Sequence, residues 1–244
     1  DIDGTLTPSR QRMTKEFQKF FIKWSEKNPF YLVTGSDINK MKEQVPTSIL
    51  EKAEGLFTCC GNIFYKNKII EIEGIKQIHT SKVYENTFNL PEHIKHFLKI
   101  MLENSEYPYR YGNHIEDRGS MVNFSIVGRD CTLEQRQHFF EWDNKHKERQ
   151  KIADIIKTKS SGLDASIGGQ ISIDIYEQGM DKSQILYHII KDFDGLVDRY
   201  IFIGDRTMEG GNDYPLAEEI NKKPTGMSYQ TKNPEDTIKI LESI

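Results

Sequence analysis

The chain begins with D-I-D-G-T-L-T (residues 1–7), which places two carboxylates one residue apart and follows them with a glycine and a threonine. One interpretation is a solvated acidic terminus, in which both aspartates face water. The other is a buried acidic pair, because side chains at positions i and i+2 of an extended segment share a face. In that case Asp1 and Asp3 point at one site. The remaining sequence decides between the two interpretations.

Composition excludes several classes of function. The 244 residues suffice for one large domain or two small ones, and 36% hydrophobic residues supply a core. The net charge of −4 is mild, so we do not expect nucleic acid or an anionic membrane surface as a partner. Three cysteines, two of them adjacent, form no disulfide framework, and no apolar run reaches the ~20 residues of a membrane span. We therefore expect a cytoplasmic protein.

The first and last thirds of the chain alternate between strand and helix patterns. Near the beginning, P-F-Y-L-V-T-G (29–35) indicates a buried strand, and residues 55–73 indicate further strands with a tight turn near Asn67. Near the end, R-Y-I-F-I-G-D (199–205) indicates a strand that ends in an acid, and N-P-E-D (233–236) a helix start. Such alternation is typical of a parallel α/β sheet.

The middle of the chain lacks this alternation. Pro91 precedes a strongly amphipathic helix, T-L-E-Q (132–135) is a capping box, and residues 121–128 and 165–176 have strand patterns. We therefore predict an α/β fold in which a Rossmann-like parallel-sheet core is split into residues 1–77 and 183–244. An α+β cap domain, residues 78–182, is inserted between the two parts. Ligands of open parallel sheets bind at the carboxyl ends of the strands, which lie beneath such a cap.

Further acidic residues follow the last predicted strand of the core. Asp205 ends that strand, and Asp213 lies eight residues on. Packed carboxylates repel one another unless a cation neutralises them, and an oxygen-lined cluster suits Mg²⁺. Ser36 and Lys182, each near a predicted helix start, complete a phosphate cradle if they meet these acids. The alternative is that each is an ordinary cap, turn or surface residue.

The chain resembles the haloacid dehalogenase superfamily of phosphotransferases in the order of its motifs. These are D-I-D-G-T-L-T, V-T-G-S-D (33–37), a lysine, and then G-D followed by a second aspartate. A closer resemblance, to eukaryotic phosphomannomutases, covers nearly the whole chain. It is carried by I-V-G-R-D-C-T-L-E-Q-R (126–136), S-I-G-G-Q-I-S-I-D-I-Y (166–176), G-M-D-K (179–182), G-D-R-T-M-E-G-G-N-D (204–213) and N-P-E-D-T (233–237).

This resemblance implies roles for individual residues. Asp1 is the expected nucleophile and Asp3 the expected general acid/base, with Ser36 and Lys182 beside the transferring phosphoryl group. Mg²⁺ is expected on Asp1, the backbone carbonyl of Asp3 and Asp205, with Asp213 in support. The expected substrate-binding residues are Arg10, Arg118, Arg129, Arg136, Ser172 and Asp174.

The strand Q-I-S-I-D-I-Y (170–176) gives an independent reason to expect Ser172 and Asp174 in a binding site. Isoleucines alternate with Ser172 and Asp174, so the polar pair shares one face of the strand. That face either binds sugar hydroxyls or simply faces solvent.

The activity implied by the resemblance is interconversion of mannose 6-phosphate and mannose 1-phosphate. It would proceed through an aspartyl-phosphate, with a hexose 1,6-bisphosphate as intermediate and activator, and would feed GDP-mannose synthesis. Glucose phosphates are possible further substrates. The alternatives are a capped sugar-phosphate phosphatase and a non-catalytic sugar-phosphate sensor. A sensor has no need of a nucleophile, so the retained acids and Lys182 argue against it.

Three further expectations concern the surroundings of the site. The family resemblance implies a homodimer joined through the cap, to which F-F-E-W (139–142) contributes unless it belongs to the cap core. Glu219 is the candidate carboxylate for a second, structural cation, although its spacing is loose. A nucleophile of this kind normally ends a buried strand, so we expect the sequence to continue upstream of Asp1.

Overall fold

The computed structural model describes residues 1–72, 75–193 and 199–244. The helices are α1 (Lys15–Trp24), α2 (Ile38–Gln44), α3 (Thr47–Leu50), α4 (Glu92–Asn104), α5 (Leu133–His146), α6 (Glu148–Lys159), α7 (Gln184–Asp192), α8 (Tyr214–Asn221) and α9 (Pro234–Ser243). The strands are β1 (Tyr31–Val33), β2 (Gly55–Thr58), β3 (Ile63–Ile72), β4 (Ile75–Glu85), β5 (Ile115–Asp117), β6 (Val122–Phe124), β7 (Leu163–Gly168), β8 (Ser172–Glu177), β9 (Tyr200–Gly204) and β10 (Gly226–Gln230).

The first and last parts of the chain form an α/β core. Strands β1 and β2 pair in parallel, as do β9 and β10, which confirms the predicted parallel pairing. Strands β3 and β4 add an antiparallel hairpin beyond β2, so that the sheet of order β1-β2-β3-β4 is mixed. The backbone nitrogen of Asp1 donates to the carbonyl of Ile203, 2.8 Å away, and so places Asp1 beside β9. Asp1, Asp205 and the loop after β1 therefore meet at the carboxyl ends of the strands.

The predicted turn near Asn67 is wrong. Asn67 lies inside β3, opposite Thr80, and its side-chain amide donates to the carbonyls of Leu50 and Ala53 at 2.7 and 2.9 Å. The long pairing with β4 outweighs the local preference of asparagine for turns. The predicted boundary at residue 77 falls inside β4, which pairs with β3 as far as Glu85, and the division into domains stays a prediction.

The middle of the chain forms a second, antiparallel sheet of order β5-β6-β8-β7 with its own apolar core. The predicted capping box starts α5: Thr132 accepts a hydrogen bond from the backbone of Gln135, whose side chain bonds back to Thr132. Asp37 and Asn233 cap α2 and α9 as their sequence positions indicate. No helix in the described ranges is both long enough and apolar enough to cross a bilayer.

The loop between β6 and α5 brings a candidate substrate arginine into position. The amide of Arg129 donates to the carbonyl of Asn113 at 2.8 Å, and that of Tyr111 donates to the carbonyl of Val127 at 2.8 Å. Gly128 makes this close approach possible. Its φ is +91°, and a Cβ there would lie 1.9 Å from the carbonyl oxygen of Tyr111.

Replacing Gly128 by alanine is expected to destabilise the protein much more than the same change at Gly162. Both glycines have positive φ, but a Cβ at Gly162 meets nothing within 4 Å. Gly162→Ala is therefore expected to cost about 1–2 kcal/mol for the left-handed backbone alone. Gly128→Ala adds a backbone clash that the loop has to relieve by moving. Urea unfolding of both variants measures the difference, and equal losses would contradict the steric account.

Candidate active site

One cavity of about 50 Å³ lies between the core and the middle module. The structure brings most of the expected site residues to its wall. They are Asp1, Asp3, Arg10, Ser36, Arg118, Arg129, Arg136, Ser172, Asp174 and Asp205. Lys182 and Asp213 lie behind Asp1 and contact it or each other directly. Residues far apart in sequence therefore share one site, which rules out a solvated acidic terminus.

A buried ion triad forms the floor of this site. The Nζ atom of Lys182, whose side chain is 1% exposed, lies 2.8 Å from Oδ1 of Asp1 and 2.5 Å from Oδ1 of Asp213. Burial opposes the charge on Lys182, but Asp213, Cys60 and Asp205 together outweigh burial and raise the pKa of the lysine. Lys182 in turn holds the pKa of Asp213 below its ordinary value in spite of burial. The side chain of Asp1 is thus paired with a buried positive charge.

A cation fits beside this triad. Carboxylate oxygens of Asp1, Asp205 and Asp213 lie within 4.8 Å of one another, whereas Lys182 contacts only Asp1 and Asp213. Burial, and then the charge of Asp213, raise the pKa of Asp205 to about 7, so its negative charge is poorly compensated. A donor set made only of oxygens suits Mg²⁺. The carboxylate of Asp3 is outside this group, which leaves its backbone carbonyl as the expected donor.

The carboxylate of Asp3 is instead held by partners of its own. Its Oδ1 accepts hydrogen bonds from the backbone of Arg10 at 2.8 Å and from the side chain of Gln44 at 2.9 Å. Gln44 is 4% exposed and ends α2. Sequence reasoning missed it, because a glutamine in a short helix carries no distinctive signal. Asp1 and Asp3 therefore have different hydrogen-bond partners.

Two arginines of the middle module line the cavity and pair with the same acid. Arg118 and Arg129 both pair with Glu116, which was not expected from sequence. Arg118 also donates to the carbonyl of Gly35 in the core, and Arg129 donates to Oγ of Ser172 at 2.9 Å. Both side chains are nearly buried, at 6% and 10% exposed. A buried guanidinium that lines a cavity is positioned to bind an anion.

Several polar atoms at the cavity have no protein partner among the described residues. They include Nε of Arg136, Oγ of Ser9 and Oδ1 of Asn123, all buried. Burial, and then the neighbouring Arg10, lower the pKa of Arg136, so two positive charges lie close together there, and Asp3 offsets them only in part. Unpaired buried donors are costly, and an anionic, hydroxyl-rich ligand would satisfy them.

Ser172 and Asp174 are 6% and 2% exposed, so the solvent-facing alternative for this strand is wrong. The carboxylate of Asp174 accepts hydrogen bonds from Asn123 at 2.7 Å and from Asn212 at 3.0 Å. Cys60 approaches the same carboxylate at 3.7 Å. The first partner belongs to the middle module and the other two to the core, so Asp174 joins the two parts at the cavity.

Two further expectations concern the surroundings of the site. Of the two interpretations of F-F-E-W (139–142), the structure favours core packing: Phe139 is fully buried in the middle module, and Phe140 packs against Arg206 of the core. The second cation at Glu219 stays a prediction. Glu219 pairs with Lys222 on the surface of α8, because that helix continues through the segment in which a second cation was considered.

Comparison with known proteins places these observations in a family. The sequence model described as eukaryotic phosphomannomutase matches residues 17–244. A phosphomannomutase of Encephalitozoon cuniculi is 40% identical over 245 residues, covering 99% of this chain and 90% of that protein. The phosphomannomutase of Saccharomyces cerevisiae is 34% identical, covering 100% and 92%.

Solved structures support the fold at much lower identity. A sugar phosphatase of haloacid dehalogenase subclass IIB superimposes with a TM-score of 0.56 at 13% identity, covering 100% of this chain and 96% of that chain. A haloacid dehalogenase-like hydrolase from B. subtilis gives 0.57 at 11% identity, covering 100% and 98%. The predicted core with an inserted cap is therefore confirmed, and the middle module is called the cap below.

The raised pKa of Asp205 predicts how stability depends on pH. With EDTA present, the folded protein keeps a proton on Asp205 up to about pH 7, whereas an unfolded aspartate loses it near pH 4. Between these values the folded state binds more protons, so stability falls as pH rises from about 4 to about 7, and the loss levels off above pH 7. Each kcal/mol lost lowers Tm by about 2–4 °C in a protein of this size.

Thermal unfolding at pH 5 to 8, with EDTA or with MgCl₂, measures this loss. The variant Asp205→Asn is expected to lack it, and Mg²⁺ is expected to raise the Tm of the unmodified protein more at pH 8 than at pH 5. Equal pH profiles for the two proteins in EDTA would contradict the assignment of the effect to Asp205.

Proposed function

Because the chain belongs to the eukaryotic phosphomannomutase family, we propose that it interconverts mannose 6-phosphate and mannose 1-phosphate by way of a phosphorylated Asp1. Membership of the family makes it an enzyme, an isomerase of the haloacid dehalogenase superfamily. The observation that carries the proposed mechanism is the triad of Asp1, Lys182 and Asp213. It leaves Asp1 ionised on the wall of the cavity, while Asp3 is held separately.

In the first half-reaction, phosphate passes from phosphorylated Asp1 to the C1 hydroxyl of mannose 6-phosphate. Asp3 takes the hydroxyl proton, the new bond forms between the C1 oxygen and phosphorus, and the bond from Asp1 to phosphorus breaks. The products are mannose 1,6-bisphosphate and the free Asp1 carboxylate. Lys182 offsets the negative charge that gathers on Asp1.

In the second half-reaction, the bisphosphate lies the other way round. Asp1 attacks phosphorus on C6, and Asp3 returns its proton to the departing C6 oxygen, which yields mannose 1-phosphate and phosphorylated Asp1. The phosphate that does not react is held by Arg10, Arg129 and Arg136, whose guanidinium groups suit either phosphate of the bisphosphate. Mg²⁺ held by Asp1, Asp205 and the Asp3 carbonyl, supported by Asp213, would stabilise the charge of the transferring group.

The proposal extends to four less direct points. A hexose 1,6-bisphosphate is the expected activator, because it can phosphorylate Asp1 at the start. Glucose phosphates are expected to react more slowly, and the product mannose 1-phosphate would serve GDP-mannose synthesis in the cytoplasm. We also propose a homodimer joined through the cap, on which Ile100, Tyr109 and Leu133 are exposed apolar side chains.

The test is a coupled assay that follows conversion of mannose 1-phosphate, with and without glucose 1,6-bisphosphate and MgCl₂. We expect turnover that requires both additions, and we expect Asp1→Asn to lower it by at least about a thousandfold through loss of the nucleophile. The exposed carboxylate of Asp154 on α6 provides the matched control Asp154→Asn, with unchanged turnover.

The competing phosphatase function predicts a different outcome. A phosphatase would release inorganic phosphate from the bisphosphate without forming the isomeric monophosphate. Full turnover by Asp1→Asn would exclude both phosphoryl-transfer functions.

A further inference from the structure

The cap and the core are held together around a cavity that is too small for the proposed substrate. Pockets for small ligands usually measure about 300–1,000 Å³, whereas this cavity measures about 50 Å³. A hexose bisphosphate can enter, and turn round between the two half-reactions, only if the cap moves. The contacts that cross from core to cap therefore decide how long the intermediate stays bound.

Two kinds of contact cross this boundary. Asp174 and Arg118 line the cavity, so a bound ligand alters their contacts with Asn212 and Gly35 directly. Arg206 does not line the cavity. Its contacts with the cap can thus persist while the ligand changes.

We propose that Arg206 is a positioning residue that holds the cap closed on the core while the bisphosphate intermediate is bound. Its Nη2 atom donates to the carbonyl of Gly169 in the cap at 2.9 Å. Its guanidinium carbon lies 5.2 Å from the centre of the Phe140 ring on α5, within range of a cation–π contact. One core side chain thereby binds a cap turn and a cap helix together.

The cap turn that Arg206 contacts is itself rigid. The carbonyl of Gly169 also accepts a hydrogen bond from Arg149 at 3.1 Å, and Arg149 is 2% exposed and paired with Asp143 at 2.7 Å. Residues of the same turn, Gly168 to Ser172, form part of the cavity wall. Because the turn is fixed to the body of the cap, a contact made there holds the cap as a whole.

The same side chain faces the acidic cluster on its other side. Nε of Arg206 is buried, has no hydrogen-bond partner in the described part of the chain, and lies 3.6 Å from Oδ2 of Asp205. The loop that starts at Arg206 also meets the cap through its backbone. Ile167 donates to the carbonyl of Gly210 at 2.9 Å, and Asn212 donates to the carbonyl of Ile167 at 3.1 Å. Closure of the cap and the position of the acid-bearing loop are therefore coupled.

Hydrogen exchange tests closure directly and does not depend on the proposed function. The amides of Ile167 and Asn212 each donate to a carbonyl across the boundary between cap and core. In Arg206→Ala we expect both to exchange about tenfold faster, because a charge-assisted hydrogen bond and a cation–π contact are lost. Amides of the paired cap strands β6 and β8 are expected to keep their rates. Unchanged exchange at Ile167 and Asn212 would overturn the proposal.

Kinetics test whether the bisphosphate intermediate is lost more often when this contact is removed; this test rests on the proposed mutase function. We expect Arg206→Ala to need about ten times more glucose 1,6-bisphosphate for half-maximal turnover, since the intermediate escapes more often. Phe140→Leu, which removes the ring but not the apolar volume, is expected to shift this concentration in the same direction by a smaller factor.

A matched control is available on the core. Arg199 also donates to a backbone carbonyl, that of Ile244 at 2.9 Å, so Arg199→Ala is expected to behave as the unmodified protein in both experiments. Hydrolysis of p-nitrophenyl phosphate at saturating Mg²⁺ distinguishes an effect on cap closure from an effect on the acidic cluster. If Arg206→Ala lost this hydrolysis in proportion to its mutase activity, the residue would act on the acids and the proposal would fail. Absence of mutase activity in the unmodified protein would count against the proposed function, and the exchange result would still decide the role of Arg206.

Discussion

A single buried lysine holds the candidate site together. Lys182 contacts Asp1, at the start of the sequence, and Asp213, near its end, and all three side chains are at most 6% exposed. Taking charges out of water is costly, and removing one member of such a group leaves the others uncompensated, typically at a cost of about 3–5 kcal/mol. The triad therefore constrains the two halves of the core to one arrangement. It also leaves Asp205 as the acid with the least compensation, which is why a cation fits beside it.

The cap and the core contribute different residues to the candidate site. The core supplies the carboxylates, and Lys182 lies at the predicted boundary between cap and core; together they suit the transfer of a phosphoryl group but recognise no particular substrate. The cap supplies Arg118, Arg129, Arg136, Ser172 and Asp174, which surround the space above them. A closed cavity excludes water from a phosphorylated carboxylate, which would otherwise be hydrolysed. In the proposed mechanism this closure has to be reversible, because the intermediate binds in two orientations.

Sequence patterns predicted the core, the cap and the meeting of distant residues, because strand ends, glycines and helix caps leave strong local signals. They failed where distant contacts outweighed local preference. Asn67 has a turn-forming side chain but lies within a long hairpin, where it pairs with Thr80. Glu116, Asn123 and Gln44 were missed because their importance comes only from the neighbours that folding gives them. Arg206 was missed for the same reason, since its partners belong to the cap.

The central claim is that the triad makes Asp1 the residue that carries phosphate. The most direct measurement mixes the protein and MgCl₂ with glucose 1,6-bisphosphate labelled with ³²P, stops the reaction with acid, and locates the label by peptide mapping. We predict about one phosphoryl group per chain at most, on the peptide that contains Asp1, sensitive to hydroxylamine as an acyl phosphate is, and absent from Asp1→Asn. Label on a serine or histidine, or turnover without any label on the protein, would contradict the account.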